Sequence, residues 1–448
     1  MNALLAALGL AVLLFGGWGI GYLLIPGEKP ISTMAVHAWL LGAIVVTITL
    51  GFFGTILSGR GLLALVAVAC IIPGFAALRK IPRRGMFAFE WPRPAGWLEW
   101  TLLAVILCQC AVLLRYAWTT AIGWDGLVVW EIKARIAAYN GGSLPVDYFT
   151  DPTRSWSHPD YPLMLPLLET WIYMWMGQSS QFLVRIIYPV FYFAALLLLY
   201  SGAAEISGKR WVGLLAASLL FFVSLLATGQ SNVFTGYADF PLAVLYLAAV
   251  ASFIRYTRDA ANSRAVLFAI YAGAMPWMKR EGAILWLCFI LVAGVELIGQ
   301  RKIRVALLAV VPGLITIAGW KIAQFSVRAI PNHDFLPATA ANVAAHLNRV
   351  GPILRAVIVE LSSINDWSIL WAVFPIALVL LAAKGRRTLS LQLGALVFMP
   401  LVLYASVYIL SSWNPYQTHI DCSLPRLVSH LSLVALLTFA IALPDTGQ

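Results

Sequence analysis

Thirteen apolar stretches, most of about 20 residues, punctuate the chain, and a run of that length is what a helix needs to cross the ~30 Å hydrocarbon core of a bilayer. They fall near 2–25, 37–57, 61–78, 97–119, 183–201, 211–228, 238–255, 264–278, 282–299, 303–324, 367–383, 389–410 and 424–443. Inside lipid every backbone N–H and C=O must be satisfied within the segment, so such runs fold as helices. With 61% of 448 residues hydrophobic and 11% charged, the chain lies well outside the range of soluble domains. It reads as an all-α integral membrane protein of about thirteen transmembrane helices. The first run lacks a basic leading segment and exceeds a signal-peptide core, so it counts as a span. The five cysteines stand singly or as C-x-C and give neither a disulfide framework nor a zinc spacing.

The formal charge of +11 does not call for nucleic acid. Excess Lys and Arg in such a chain marks cytoplasmic loops. The basic clusters are RKIPRR (79–84), GKRW (208–211), RYTR (255–258), GQRKIR (299–304) and KGRR (384–387), and all five are expected inside. Between the first two the chain must cross an even number of times, and the runs at 97–119 and 183–201 already supply the pair. The short, proline-bracketed stretch PLMLPLLETWIYMWMG (162–177) is therefore expected not to span but to form a juxtamembrane or re-entrant helix within the first long external loop. The N-terminus is expected outside and the C-terminus inside.

This topology gathers the remaining polar residues on one face. The segment 120–182, the junctions GYADF (236–240) and MKREG (278–282), the loop 325–366 and the stretch SSWNPYQTHIDCSLPR (411–426) are all external. They carry Asp125, Glu131, Lys133, His158, Asp160, Tyr161, Arg185, Asp239, Lys279, Arg280, Glu281, His419 and Arg426. Ionisable groups near membrane depth are costly and mark paths or chemistry. In GWDGLVVWEIKA (123–134) a helix would align Val129, Ile132 and Ile136 in one stripe, with Glu131 and Arg135 as an i,i+4 pair beside it. That pattern predicts an amphipathic helix on the bilayer surface. Asp125 near its start either caps the first free N–H groups or does chemistry. Arg185 could equally be a snorkelling anchor, His158 a loop hydrogen bonder, Asp239 a helix cap, and Lys279 and Glu281 a mutually neutralising pair.

An apolar helix ending in an external Asp, a surface helix, then SHPDYPLMLPLLETWIYMWMG and FLVRIIYP resembles the GT-C polytopic glycosyltransferases, specifically bacterial members of the protein-mannosyltransferase and aminoarabinose-transferase type. The family's essential acid after its first catalytic helix, its His/Lys-Pro motif and the Arg before the next span match Asp125, His158-Pro159 with Tyr161-Pro162, and Arg185. TGYADFPLAVLYLA (235–248) is similar to the second acidic junction, giving Asp239, and MKREG to a Lys-x-Glu-Gly junction, giving Lys279 and Glu281. The likeness divides the chain into residues 1–96, which have no counterpart, and a GT-C-like core at 97–443.

The resemblance implies transfer of a sugar from a polyprenyl-phosphate carrier to an acceptor hydroxyl, with inversion, on the outer face of a bacterial inner membrane. Asp125 would be the general base. Arg185, Lys279, Arg280 and Arg426 would meet the departing phosphate. Glu131, Lys133, His158, Asp160, Tyr161, Asp239, Glu281 and His419 would position substrate, with Asp421 in the same polar wall, and the loop 325–366 would shape the acceptor's way in. The implied partners are the lipid-phosphate donor, a glycan, lipid or protein acceptor and the bilayer. A divalent cation on Asp125 and Asp239 is the one cofactor in view, although hard cations want more oxygen ligands than two carboxylates supply. The rival is a transporter or flippase for a lipid-linked or small polar solute, which would place ionisable groups near mid-membrane on broken helices.

The sidedness is directly testable. In a chain stripped of its own cysteines, a cysteine at 209 should be shielded from an impermeant thiol reagent in whole cells, and one at 239 should lie on the accessible side. Labelling at 209 together with protection at 239 would reverse the topology.

Overall fold

The computed structural model describes residues 1–25, 30–81, 94–227, 229, 232–331 and 333–443. Part of the first basic cluster, 82–84, lies outside them, as does Asn332. Among the described residues the chain is helical throughout, with one isolated antiparallel bridge, Phe335 to Ser411. Ten helices among the described residues are long and apolar enough to span a bilayer: Asn2–Leu24, Ile31–Phe53, Gly59–Leu78, Trp97–Thr119, Gln181–Ser207, Asp239–Asp259, Gly282–Gly299, Ile303–Ser326, Arg387–Leu410 and Tyr416–Ala442. The chain is an all-α, multi-pass membrane protein.

Three of the thirteen expected runs are shorter helices. Asn262–Met278 rises about 25 Å, Leu370–Ala383 about 21 Å and Arg210–Phe222 about 20 Å at ~1.5 Å per residue. The run expected at 211–228 breaks at Val223, where a 3-10 turn ends and a new short helix, Ser224–Ala227, begins.

The packing divides the chain into two units. The first contains 1–148, 163–218 and 233–238; the second contains 149–162, 219–232 and 239–448. The first three helices, which had no counterpart in the resemblance, belong to the first unit. They cross at backbone contact. A Cβ on Gly17 would sit 2.1 Å from the Ala38 carbonyl oxygen, and one on Gly42 would sit 2.3 Å from that of Leu13. In lipid, where apolar side chains gain little by leaving their surroundings, such close approach between small residues drives helix association.

Other contacts bind these helices to the rest of the first unit. The Trp39 ring meets Phe191 edge-on at 4.9 Å, the Trp171 indole donates to the Gly9 carbonyl at 2.9 Å, and Gly59 N–H donates to Gly141 at 2.7 Å. Gln109, buried, donates to the Ala217 carbonyl at 3.2 Å and accepts from the Tyr192 hydroxyl at 2.9 Å. Arg210 pairs with Glu99 at 2.5 Å, joining two helix starts.

The expected surface helix is not one. Residues Gly126–Glu131 wind as a π-helix before Ile132–Tyr139 continues as α. Each extra residue in such a turn rotates every later side chain by about 100°, which dissolves the Val129, Ile132, Ile136 stripe. Of that stripe only Val129 is buried, and the buried side continues through Trp130, Glu131, Lys133, Ala134 and Ala137. Glu131 is tolerated there because Arg135 clamps both its oxygens (3.2 and 2.6 Å) and the Tyr173 hydroxyl donates to it at 2.6 Å. Lys133 lies 5.3 Å from the Trp130 ring centre.

The ambiguous stretch forms Met164–Met176, with eleven of its thirteen residues buried, so it is inserted among neighbours rather than laid on a surface. At its centre Glu169 accepts a hydrogen bond from the Tyr188 hydroxyl, while its other oxygen is buried without a partner. Burial pushes the Glu169 carboxyl well above the usual range, against the Tyr188 bond and with the help of nearby Glu131. Glu169 is therefore held as the neutral acid.

A folded-state pKa raised above the unfolded value gives stability that is present below the unfolded pKa and lost as pH rises through the folded one. A permanently neutral isostere escapes that loss. Glu169→Gln should melt with the wild type at pH 4 and above it at pH 9. Identical pH dependence of the two melting temperatures would mean that Glu169 is ionised in the fold.

Candidate functional site

The residues expected on one face divide between the units. Asp125, Glu131, Lys133 and Arg185 lie in the first, and His158, Asp160, Tyr161, Asp239, Lys279, Arg280, Glu281, His419 and Arg426 in the second. Within the second they form a continuous cluster.

At its base is Asp239, the first residue of Asp239–Asp259, with a side chain only 3% exposed. Its Oδ1 accepts from Lys279 Nζ at 2.7 Å and faces His430 Nε2 at 2.9 Å. Its Oδ2 accepts from Arg426 Nε at 3.1 Å and Nη2 at 3.0 Å. A carboxylate offers about four lone-pair directions, and here four N–H donors fill them. His430 Nδ1 lies 3.2 Å from the Tyr404 hydroxyl, which also reaches the Glu281 carbonyl at 3.4 Å. Sequence reasoning missed His430 and Tyr404. A signal for the first existed: Arg426 and His430 are four apart on Tyr416–Ala442, the spacing that puts two side chains on one helix face.

The MKREG junction owes its shape to its last residue. A Cβ on Gly282 would sit 1.9 Å from the Met275 carbonyl oxygen, so only glycine allows the chain to turn this tightly. The turn sends three charges in different directions. Lys279 goes down to Asp239 and touches Glu281 Oε1 at 3.3 Å. Arg280 goes outward, its side chain 36% exposed, with one long contact to Asp160 at 3.4 Å. Its guanidinium lies over the rings of Tyr161 and Phe335, 5.1 and 5.3 Å from their centres, a cation–π arrangement. Burial pushes the Glu281 carboxyl up, but the charges of Lys279 and Arg280 more than offset it and hold it below the usual range. Burial raises the Tyr161 phenol, so that ring stays neutral.

The outer wall is aromatic and is fixed by the single strand-like bridge. Leu336 N–H donates to Leu410 at 2.7 Å and Ser412 N–H to Asp334 at 2.9 Å. These bonds seat Phe335 against His419 (5.1 Å) and hold Trp413 stacked on the same imidazole at 4.7 Å. His419 is buried and anchored to the Ser411 hydroxyl at 2.9 Å. Asp334 accepts from the Trp413 indole at 3.2 Å and lies 3.7 Å from His158, which stacks on Tyr161 at 4.7 Å. Two donors, the Trp320 indole (3.0 Å) and Gln324 (2.8 Å), hold the Asp160 carbonyl and with it the His158–Tyr161 segment. Asp421, on the far side of its helix from His419, is exposed.

In the first unit, Asp125 is half-buried at the start of the π-turn and makes no capping bond to it. Its turn is pinned where Gly123 N–H donates to the Thr235 carbonyl at 2.8 Å. Arg185 donates to the Thr120 carbonyl and stacks over Phe182 at 4.8 Å. Glu131 and Lys133, sealed by their own contacts, are not presented to a substrate.

A divalent cation does not fit at Asp239, whose lone pairs all face nitrogen donors and whose nearest neighbours are positively charged. Among the described residues no three His, Cys, Asp or Glu side chains are grouped as metal ligands. No protein-family model, no curated protein and no solved structure matches this chain.

Removing one partner of a buried charge set strands the others and typically costs about 3–5 kcal/mol, whereas a part-exposed pair contributes ~1 kcal/mol or less. Asp239→Ala should therefore lower unfolding stability by about 3–5 kcal/mol and Asp160→Ala by ~1 kcal/mol or less, as read from denaturant titration of the purified protein. Equal costs would mean that Asp239 is not the electrostatic anchor of the cluster.

Proposed function

We propose that the protein is a membrane glycosyltransferase that moves a sugar from a polyprenyl-phosphate donor to an acceptor hydroxyl at the outer membrane boundary, through a GT-C-like arrangement of about thirteen membrane helices. In the displacement, the acceptor oxygen bonds to the anomeric carbon and gives up its proton to a carboxylate. The anomeric C–O bond to phosphate breaks, and its electron pair leaves on the lipid phosphate. Such a step needs a base and a cation for the departing charge.

The observation that carries this reading is the state of Arg280. Lys279 and Arg426 are committed to Asp239, and Arg185 to a backbone carbonyl. Arg280 stands part-exposed between two rings with one 3.4 Å contact, leaving most of its five donors for a phosphate. Asp125 carries the base role that the resemblance gives it. The acceptor is a glycan, lipid or protein hydroxyl. The second reading, a transporter, is favoured by the neutral buried Glu169, since a protonatable acid among membrane helices suits proton coupling.

Asp125→Asn keeps a side-chain oxygen and a similar shape but loses the base. Purified protein in nanodiscs, assayed for sugar transfer from a polyprenyl-phosphate donor, should lose about a hundredfold or more in turnover with an unchanged melting temperature. A stable variant with wild-type turnover would refute the base assignment. Proton-coupled uptake into liposomes without any sugar transfer would favour the transporter.

A further inference from the structure

Three of the four carboxylates in the second unit's cluster are matched by donors. Asp239 has its four nitrogens, Asp160 has Arg280, and Asp334 has the Trp413 indole and His158. Glu281 is the exception. Its Oε1 meets Lys279 at 3.3 Å, while its Oε2 is buried with no hydrogen-bond partner. A charged acceptor left empty in a place shielded from water is unfavourable, and a ligand that donates to it gains accordingly.

The surroundings select the donor. Lys279 and Arg280 precede Glu281 in the chain and both bear on its carboxylate, so an incoming ammonium or metal ion would be repelled. A phosphate oxygen has no proton to give and would meet a carboxylate. A neutral hydroxyl satisfies both conditions. In the same wall the Tyr161 and Phe335 rings are covered by the Arg280 guanidinium, and the ring left open is Trp413, 38% exposed and backed by buried His419. Rings and carboxylates together are the two things a pyranose needs, an apolar surface for its C–H faces and acceptors for its hydroxyls.

We propose that the MKREG turn and the wall around it form a carbohydrate subsite, in which Glu281 Oε2 accepts a hydrogen bond from a ring hydroxyl while the sugar packs on the exposed Trp413 ring. This deepens the transferase reading and rests on it for the sugar's being a substrate. Lys279 acts as a positioning residue, holding Glu281 from below through its Oε1 contact.

The test uses the full chain in nanodiscs and saturation-transfer NMR with methyl pyranosides as probes, against cyclohexanol as a ring of similar size without the hydroxyl pattern. Wild-type protein should saturate the pyranosides and not cyclohexanol. Glu281→Gln should reduce that signal about fivefold or more, as expected for one lost charged hydrogen bond. Glu281→Asp keeps the charge beside Lys279 but draws the oxygens back, so it too should lose binding while retaining the melting temperature. Glu360→Gln, at a half-buried carboxyl bonded to the Trp367 indole, is the control and should bind as wild type.

Pyranoside signals no stronger than cyclohexanol, or undiminished in the stable Glu281→Asp protein, would overturn the subsite. Competition by a polyprenyl-phosphate sugar would assign it to the donor sugar, and its absence to the acceptor; either supports it. Glu281-dependent pyranoside binding without any sugar transfer would overturn the transferase and leave the subsite standing. Sugar transfer with unchanged pyranoside binding in both Glu281 variants would do the reverse.

Discussion

Asp239 is a carboxylate almost wholly removed from water, and an ion in that position is stable only if charge and hydrogen bonds are brought to it. Desolvation of one such group costs several kcal/mol, which mutual attraction repays only when the geometry is good and the remaining lone pairs are filled. Here Lys279, Arg426 and His430 fill all of them. The consequence is mechanical as well as electrostatic. Asp239–Asp259, the MKREG junction and Tyr416–Ala442 are tied at one point, and the register of each is set by where its charged side chain must end. With Lys279 drawn down to that point, and Gly282 allowing the chain to double back, Arg280 and Glu281 are turned toward the outer wall. The outward groups have their orientation because the inward one is satisfied.

Two other buried acids show the alternatives open to a chain of this kind. Glu131 is matched by the Arg135 fork and the Tyr173 hydroxyl. Glu169 has no cation in reach and gives up its charge instead, remaining an acid beside Tyr188. These are the two ways a low-dielectric interior accommodates a carboxyl: a paired ion or a bound proton. Which applies depends on whether an arginine lies one helical turn away, as Arg135 does from Glu131 and nothing does from Glu169. Glu281 follows neither course completely, since it is held ionised by cations yet left with an unmatched oxygen, and that imbalance distinguishes it from the structural acids around it.

The distribution of cations reorders the roles suggested by sequence. Four positive residues looked equivalent as phosphate partners, but geometry ranks them by how many donors each has left. Lys279 and Arg426 serve Asp239, Arg185 serves Thr120 and a phenyl ring, and Arg280 alone among these four combines exposure with long, weak contacts. Glu131 and Lys133 are buried with the π-turn. Asp334 and Trp413 join the outer wall because a short backbone bridge brings 333–336 beside 410–412.

The helices were legible in the sequence because the bilayer leaves a chain few choices: long apolar runs must become helices, and ten of them do so at full spanning length. The MKREG and GYADF junctions were legible too, since charge at the end of an apolar run stands out by composition alone. The pairing of those charges was not legible, because it depends on contacts between residues as far apart as 239 and 430, which no local pattern records. Nor was the phase of 126–139, where one π-turn rotates every later side chain against a 3.6-residue template. Periodicity and composition determine which segments enter the membrane; which charges are buried, matched or left open is decided only when distant helix ends meet, because ion pairing in a low dielectric depends on distances of a few ångströms that tertiary packing alone sets.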